Sequence, residues 1–124
     1  MPVRILIADD HEIVRRGLIS LLQTQPDWEI AGEAVTGREA IDLARQLTPE
    51  IAILDIGMPE LNGLEAARQI RKESPNTEVL ILTMHESEQL IREVLGAGAR
   101  GYVLKSDAGR DLLPAMQAIM EGRE

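Results

Sequence analysis

Five short apolar runs alternate with five amphipathic stripes along this chain, and that alternation constrains the fold more than any other feature. Val3 to Ala8 is apolar except for Arg4, and Ile51 to Leu54, Val79 to Leu82 and Tyr102 to Leu104 are similar runs. Runs rich in Ile, Leu and Val predict strands buried on both faces, as in a parallel sheet. Trp28 to Ala34 differs, because Glu29 and Glu33 alternate with Trp28, Ile30 and Gly32, the pattern of a more exposed edge strand. Between the runs, helical spacing predicts one apolar face each from Ile13, Val14, Gly17, Leu18, Leu21 and Leu22, then from Ala40, Ile41, Ala44 and Leu47, then from Leu64, Ala67 and Ile70. Leu90, Ile91, Val94 and Leu95 form a fourth stripe, and Leu112, Leu113, Met116, Ile119 and Met120 a fifth. Gln25-Pro26-Asp27, Thr48-Pro49, Ser74-Pro75-Asn76 and Gly96-Ala97-Gly98 separate the elements. Strict alternation with short connections implies right-handed crossovers, hence one α/β domain with an open, doubly wound, five-stranded parallel sheet and five helices covering both faces.

In such a sheet, ligands gather at the carboxyl ends of the strands. Asp9 and Asp10 follow the first strand, Asp55 the third, Thr83 the fourth and Lys105 the fifth, whereas the second ends in Val35-Thr36-Gly37. Each has an ordinary alternative: Asp10 as a helix cap, Asp55 as a turn cap, Lys105 as a solvated cation and Thr83 as a structural hydroxyl. Together they converge on one edge, where three crowded carboxylates repel unless a cation neutralises them. Carboxylate and carbonyl oxygens without Cys or His select a hard cation, and few protein ligands with retained waters fit Mg²⁺ better than Ca²⁺. A metal-held carboxylate beside a lysine is a nucleophile for phosphorus. Other phosphate chemistries fit less well. No Gly-x-Gly-x-x-Gly follows the first strand, no P-loop occurs, and Asp55 is followed by Ile56 and Gly57 instead of the Asp-x-Asp of haloacid-dehalogenase-like phosphatases. The chain has no cysteine, so thiol catalysis and zinc thiolate sites are excluded. Its net charge of −8 and its two aromatics, Trp28 and Tyr102, oppose non-specific nucleic-acid binding and base stacking. No apolar run reaches the ~20 residues of a membrane span and no signal peptide is apparent, so a cytoplasmic protein is expected.

The segments Ile5-Leu6-Ile7-Ala8-Asp9-Asp10-His11, Leu54 to Gly63, Leu82-Thr83 and Gly98 to Lys105 closely resemble the receiver domain of bacterial two-component response regulators, along the whole chain. Asp-Asp-His-Glu followed by Arg16-Gly17-Leu18, with Gly-Ala-Arg-Gly-Tyr-Val-Leu-Lys, is similar to the NarL/FixJ (LuxR-type) subfamily. The resemblance implies a flavodoxin-like, CheY-like fold with strand order 2-1-3-4-5, which agrees with Trp28 to Ala34 as an edge. It implies Asp55 as the phosphorylation site, Asp10 as a Mg²⁺ ligand with Asp9 acting directly or through water, and the Gly57 carbonyl as a further ligand. Lys105 would hold the phosphoryl group, Thr83 would sense it and Tyr102 would be the aromatic switch. A sensor histidine kinase, or a small donor such as acetyl phosphate, would supply the group, and phosphorylation would drive homodimerisation.

Members of that subfamily continue into a helix-turn-helix domain, which residues 1–124 do not contain. The expectation is a receiver domain over 1–124 that controls a DNA-binding transcription regulator, DNA being touched only through that missing domain. The alternatives are a stand-alone receiver acting on protein partners or in a phosphorelay, and a true Mg²⁺-dependent phosphatase; turnover of an external substrate is not expected. Ser106 stands where many receivers carry a cis proline, so a trans peptide is expected. His11 is read as a helix-start residue rather than a metal ligand; His85, two residues after Thr83, is either a position that the resemblance links to phosphoryl lifetime or a solvated loop histidine. Pro114 predicts that the fifth helix begins near Asp111, or begins near Ala108 and kinks around Arg110, with the late start favoured.

Overall fold

The computed structural model describes residues 2–122. Strands β1 (Val3–Ala8), β2 (Trp28–Ala34), β3 (Ile51–Asp55), β4 (Glu78–Thr83) and β5 (Gly101–Leu104) alternate with helices α1 (Glu12–Leu22), α2 (Gly37–Leu47), α3 (Gly63–Glu73), α4 (Glu88–Gly96) and α5 (Ala108–Glu121). All pairings are parallel, in the order β2-β1-β3-β4-β5. β2 is the edge that its alternating glutamates predict, and every residue of β3 is buried. A register shift between Ile5 and Leu6 leaves Ala31 of β2 without a partner.

Strand alternation divides the core into two layers. Ile5, Ile7, Ile51, Ile53, Leu80, Leu82 and Val103 face α1 and α5, where Leu18, Leu22, Leu112 and Met116 meet them. Leu6, Ala8, Ala52, Leu54 and Ile81 face α2, α3 and α4. This second layer is rich in alanine (Ala34, Ala40, Ala44, Ala66 and Ala67 are fully buried), so helices lie close to the sheet there.

Three expectations need correction. Ile13 was assigned to the apolar face of α1 but is 88% exposed, while Ile19 is buried in its place. Ile13 is the second residue of the helix, in a first turn that buries no side chain; the buried residues begin at Leu18. Leu95 was likewise assigned inward and is 55% exposed, leaving Val94 as the buried anchor of the short α4. The late start of α5 is also wrong: the helix begins at Ala108, directly after a 3₁₀ turn over Lys105–Asp107, and Pro114 lies inside it. Ala108 is buried in line with Leu112, Met116 and Ile119, and this burial anchors the first turn. Pro114 is exposed, on the face of α5 turned away from the core. Asp111, the expected cap, is held within the helix by two hydrogen bonds from Arg110. The preference for alanine over proline in a helix, less the order proline imposes on the unfolded chain, predicts a gain of about 2 kcal/mol for Pro114→Ala. Urea denaturation checks this, and an unchanged midpoint would show that α5 already accommodates the ring without loss.

Candidate functional site

The site forms where β1, β3 and β5 end. Asp55 closes β3 in register with Leu82 of β4, and the inward phase of Ile53 carries over to it. Asp9 follows Ile7 on the same face, and Lys105 follows Val103. Period-two alternation thus delivers all three side chains to one side of the sheet edge. The Lys105 ammonium stands 3.1 Å from Asp9 Oδ2 and 3.1 Å from Asp55 Oδ1. Asp9 and Asp55 are buried, at 0% and 3% exposure. Thr83 and Tyr102 lie one residue out of phase and face the α4 side, Tyr102 packing against the alanine-rich layer.

The electrostatics follow from this crowding. Burial and the charge of Asp9 push the Asp55 carboxyl up, against the opposing pull of Lys105 and the Gly57 N–H. Burial would lower Lys105, but its contacts with Asp9 and Asp55 outweigh that and hold it above its ordinary value. Asp9 Oδ2 is enclosed and accepts no well-aligned hydrogen bond, although Lys105 is near. Donor atoms of Asp9, Asp10, His11 and Asp55 lie within 4.8 Å of one another. An enclosed carboxylate oxygen with spare acceptor capacity, in a set dominated by carboxylates, fits a hard divalent cation.

A carboxyl raised by folding binds its proton more tightly in the folded state. Stability therefore falls as pH rises from the ordinary carboxylate range through the elevated value of Asp55. In cation-free buffer at neutral pH, Asp55→Asn should melt several degrees above the original chain, and the gap should close on acidification. Melting curves across pH check this; a variant that melts lower at neutral pH would contradict it.

Asp10 does not cap α1: the cap position belongs to His11, whose side chain caps nothing. His11 is a helix-start residue as expected, and its N–H donates to Asp9 Oδ1 at 2.8 Å. Its Nδ1 lies 3.1 Å from the same oxygen and 3.4 Å from Asp10 Oδ1, a proximity to the acidic pair that the sequence reading had set aside. Asp10 is exposed. Gly57, singled out for its carbonyl, donates its N–H to Asp55 Oδ1 at 3.3 Å. Among the described residues there is no cis peptide, so Lys105–Ser106 is trans. The Thr83 hydroxyl donates to the His85 carbonyl at 2.9 Å and accepts from the His85 N–H at 3.2 Å. The Tyr102 hydroxyl donates to the Glu86 carboxylate. Sequence reasoning missed Glu86, which accepts from Tyr102, and Arg15, whose guanidinium donates to the Asp9 carbonyl.

The chain matches the response regulator receiver domain family over residues 5–117. It is 38% identical over 122 residues to the response regulator protein VraR of Staphylococcus aureus, covering 98% of this chain and 58% of that protein. This chain therefore spans under two-thirds of the length of that relative. A LuxR-family two-component response regulator from Aurantimonas superposes with a TM-score of 0.93 at 38% identity, over 100% of this chain and 89% of the other. The signal receiver domain of the putative response regulator NarL from Mycobacterium tuberculosis gives 0.91 at 29% identity, over 98% of both chains. A family match across most of the chain, the shared sheet order and these relatives lead to one assignment: the chain belongs to the response regulator receiver domain family, in its NarL/LuxR-type branch.

Proposed function

We propose that Asp55 is the phosphoacceptor of a two-component signalling switch. The observation that carries this reading is the Lys105 ammonium 3.1 Å from Asp55, with buried Asp9 sharing it. Asp9, Asp10 and Asp55 would hold Mg²⁺, with the Gly57 carbonyl as a further ligand, and the ion would neutralise charge on the incoming phosphoryl group. A carboxylate oxygen of Asp55 attacks phosphorus; the bond from phosphorus to the donor breaks, and the donor leaves with that electron pair. With a phosphohistidine of a sensor kinase the leaving atom is an imidazole nitrogen; with acetyl phosphate it is an oxygen. Lys105 holds a phosphoryl oxygen as a point charge. The product is an acyl phosphate on the protein itself, so no external substrate is turned over. The experiment is intact mass after incubation with acetyl phosphate, with and without Mg²⁺. A gain of one phosphoryl group only with Mg²⁺ supports the reading, and no gain in either condition overturns it.

Phosphorylation adds about −1.5 to −2 charges and three acceptor oxygens beside Thr83. Its hydroxyl then has a stronger acceptor than the His85 carbonyl. Glu86 adjoins His85 and accepts from Tyr102, so one short loop connects the sensing hydroxyl to the aromatic ring. Release of Thr83 frees that loop and the ring of Tyr102, changing the face formed by α4, β5 and α5. The change is read by an output domain that binds DNA, and through homodimerisation; the cytoplasm is the expected compartment. No helix among the described residues is long and apolar enough to cross a membrane.

The latch has a direct signature. The hydrogen bond to Glu86, then burial and the Glu86 charge, raise the Tyr102 phenol above its ordinary value of 10.0. Tyr102 is the single tyrosine of the chain, so ultraviolet titration reads it alone. Glu86→Ala should lower that titration towards the ordinary value, and an unchanged curve would show that the two side chains are not coupled in solution.

A further inference from the structure

The half-buried Arg15 of α1 has no part in the chemistry above. Arg15 and Arg16 are neighbours on a polar face, yet their side chains are 11% and 60% exposed. Arg15 Nη1 donates to the Asp9 carbonyl at 2.8 Å, and its Nε donates to Glu33 Oε1 of β2 at 2.9 Å. Arg16 reaches Glu33 at 3.7 Å only.

These contacts complete the fixation of Asp9. Its N–H donates to the Ala34 carbonyl at 3.0 Å, its Oδ1 accepts from the His11 N–H, and its Oδ2 faces Lys105. β1 ends at Ala8, so the Asp9 carbonyl has passed the end of the strand, and Arg15 is the donor that meets it. Both backbone polar groups of Asp9 are thereby tied to β2, one directly to Ala34 and the other through Arg15 to Glu33. Repulsion among Asp9, Asp10 and Asp55 pushes this turn open in the absence of a cation. The guanidinium opposes that push from behind, without itself facing the cation site.

Resting on the phosphoacceptor reading, we infer that Arg15 is a positioning residue for divalent-cation binding: it holds the turn after β1 so that the Asp9 carboxylate is already aimed at Asp55. Groups that orient metal-binding ligands typically alter metal affinity about 10–100-fold when removed. Lysine cannot replace the function fully, because a single ammonium does not reproduce the planar fork that serves a carbonyl and a carboxylate at once.

The test is calorimetric titration of the 124-residue chain with MgCl₂, beside melting curves in cation-free buffer. Arg15→Ala should bind Mg²⁺ about 10-fold or more weakly, Arg15→Lys should fall between it and the original chain, and Arg16→Ala should match the original chain. Phosphorylation of Arg15→Ala by acetyl phosphate should be slow at low Mg²⁺ and recover at saturating Mg²⁺. A folded Arg15→Ala whose Mg²⁺ isotherm overlays that of the original chain overturns the inference, whatever its melting temperature. If Arg15→Ala does not fold, Arg15→Gln replaces it with the same two outcomes. Absence of Mg²⁺ binding in the original chain would overturn the phosphoacceptor reading itself, and this result is distinct from binding that Arg15 does not affect.

Discussion

Gly63→Ala should destabilise the domain by about 3 kcal/mol or more, above the usual range for an overpacked site. A Cβ at Gly63 would stand 2.4 Å from the Asp55 carbonyl oxygen and 2.8 Å from the Ile56 Cα. Both obstacles are backbone, so no side chain can rotate aside. The Gly63 N–H also donates to the Ile56 carbonyl at 3.1 Å, which holds the start of α3 against the end of β3. Displacing either segment moves Asp55 relative to Lys105. The variant should therefore lose stability and phosphorylation together, whereas Gly57→Ala, whose Cβ meets nothing within 4 Å, should keep its stability. Urea denaturation of the two variants checks this pair, and equal stability would show that the β3–α3 loop relaxes freely.

Lys105→Ala should cost about 2 kcal/mol in cation-free buffer at neutral pH. Breaking a fully buried pair costs about 3–5 kcal/mol, and the partial exposure of Lys105 reduces that figure. Two buried carboxylates would then face each other with no cation between them. The loss should shrink on acidification, as Asp55 takes up a proton, and shrink again on adding Mg²⁺. Melting curves in the four conditions check the claim; a deficit independent of both pH and Mg²⁺ would assign Lys105 a packing role.

The fold was legible because its helices and strands follow different periods. Short, nearly continuous apolar runs marked four strands, and the alternating glutamates of β2 marked the fifth as an edge. The site was legible for a related reason. A parallel sheet brings strand ends together, so Asp9, Asp55 and Lys105 needed only to follow their strands to meet. Apolar pattern was less informative at helix ends. Ile13 satisfies the spacing of α1 yet lies exposed in its first turn, because spacing assigns a face and not a depth. Pro114 was misjudged because its local sterics were weighed without the burial of Ala108, which lies on the other side of the helix. Arg15 escaped notice because a half-buried arginine and a solvated one look alike in sequence; its hydrogen bonds to the Asp9 carbonyl and to Glu33 distinguish it from Arg16, which approaches Glu33 only at 3.7 Å. Gly63 was read as part of a resemblance; the reason for glycine there is the carbonyl of Asp55.

The central claim is that Asp55 accepts the phosphoryl group while Lys105 and the acidic pair of β1 hold it in place. Its most direct measurement is intact-mass analysis of the original chain and Asp55→Asn after equal exposure to acetyl phosphate and Mg²⁺. One phosphoryl group is expected on the original chain and none on the folded variant. A stable phosphoryl adduct on Asp55→Asn, at the level of the original chain, would contradict it.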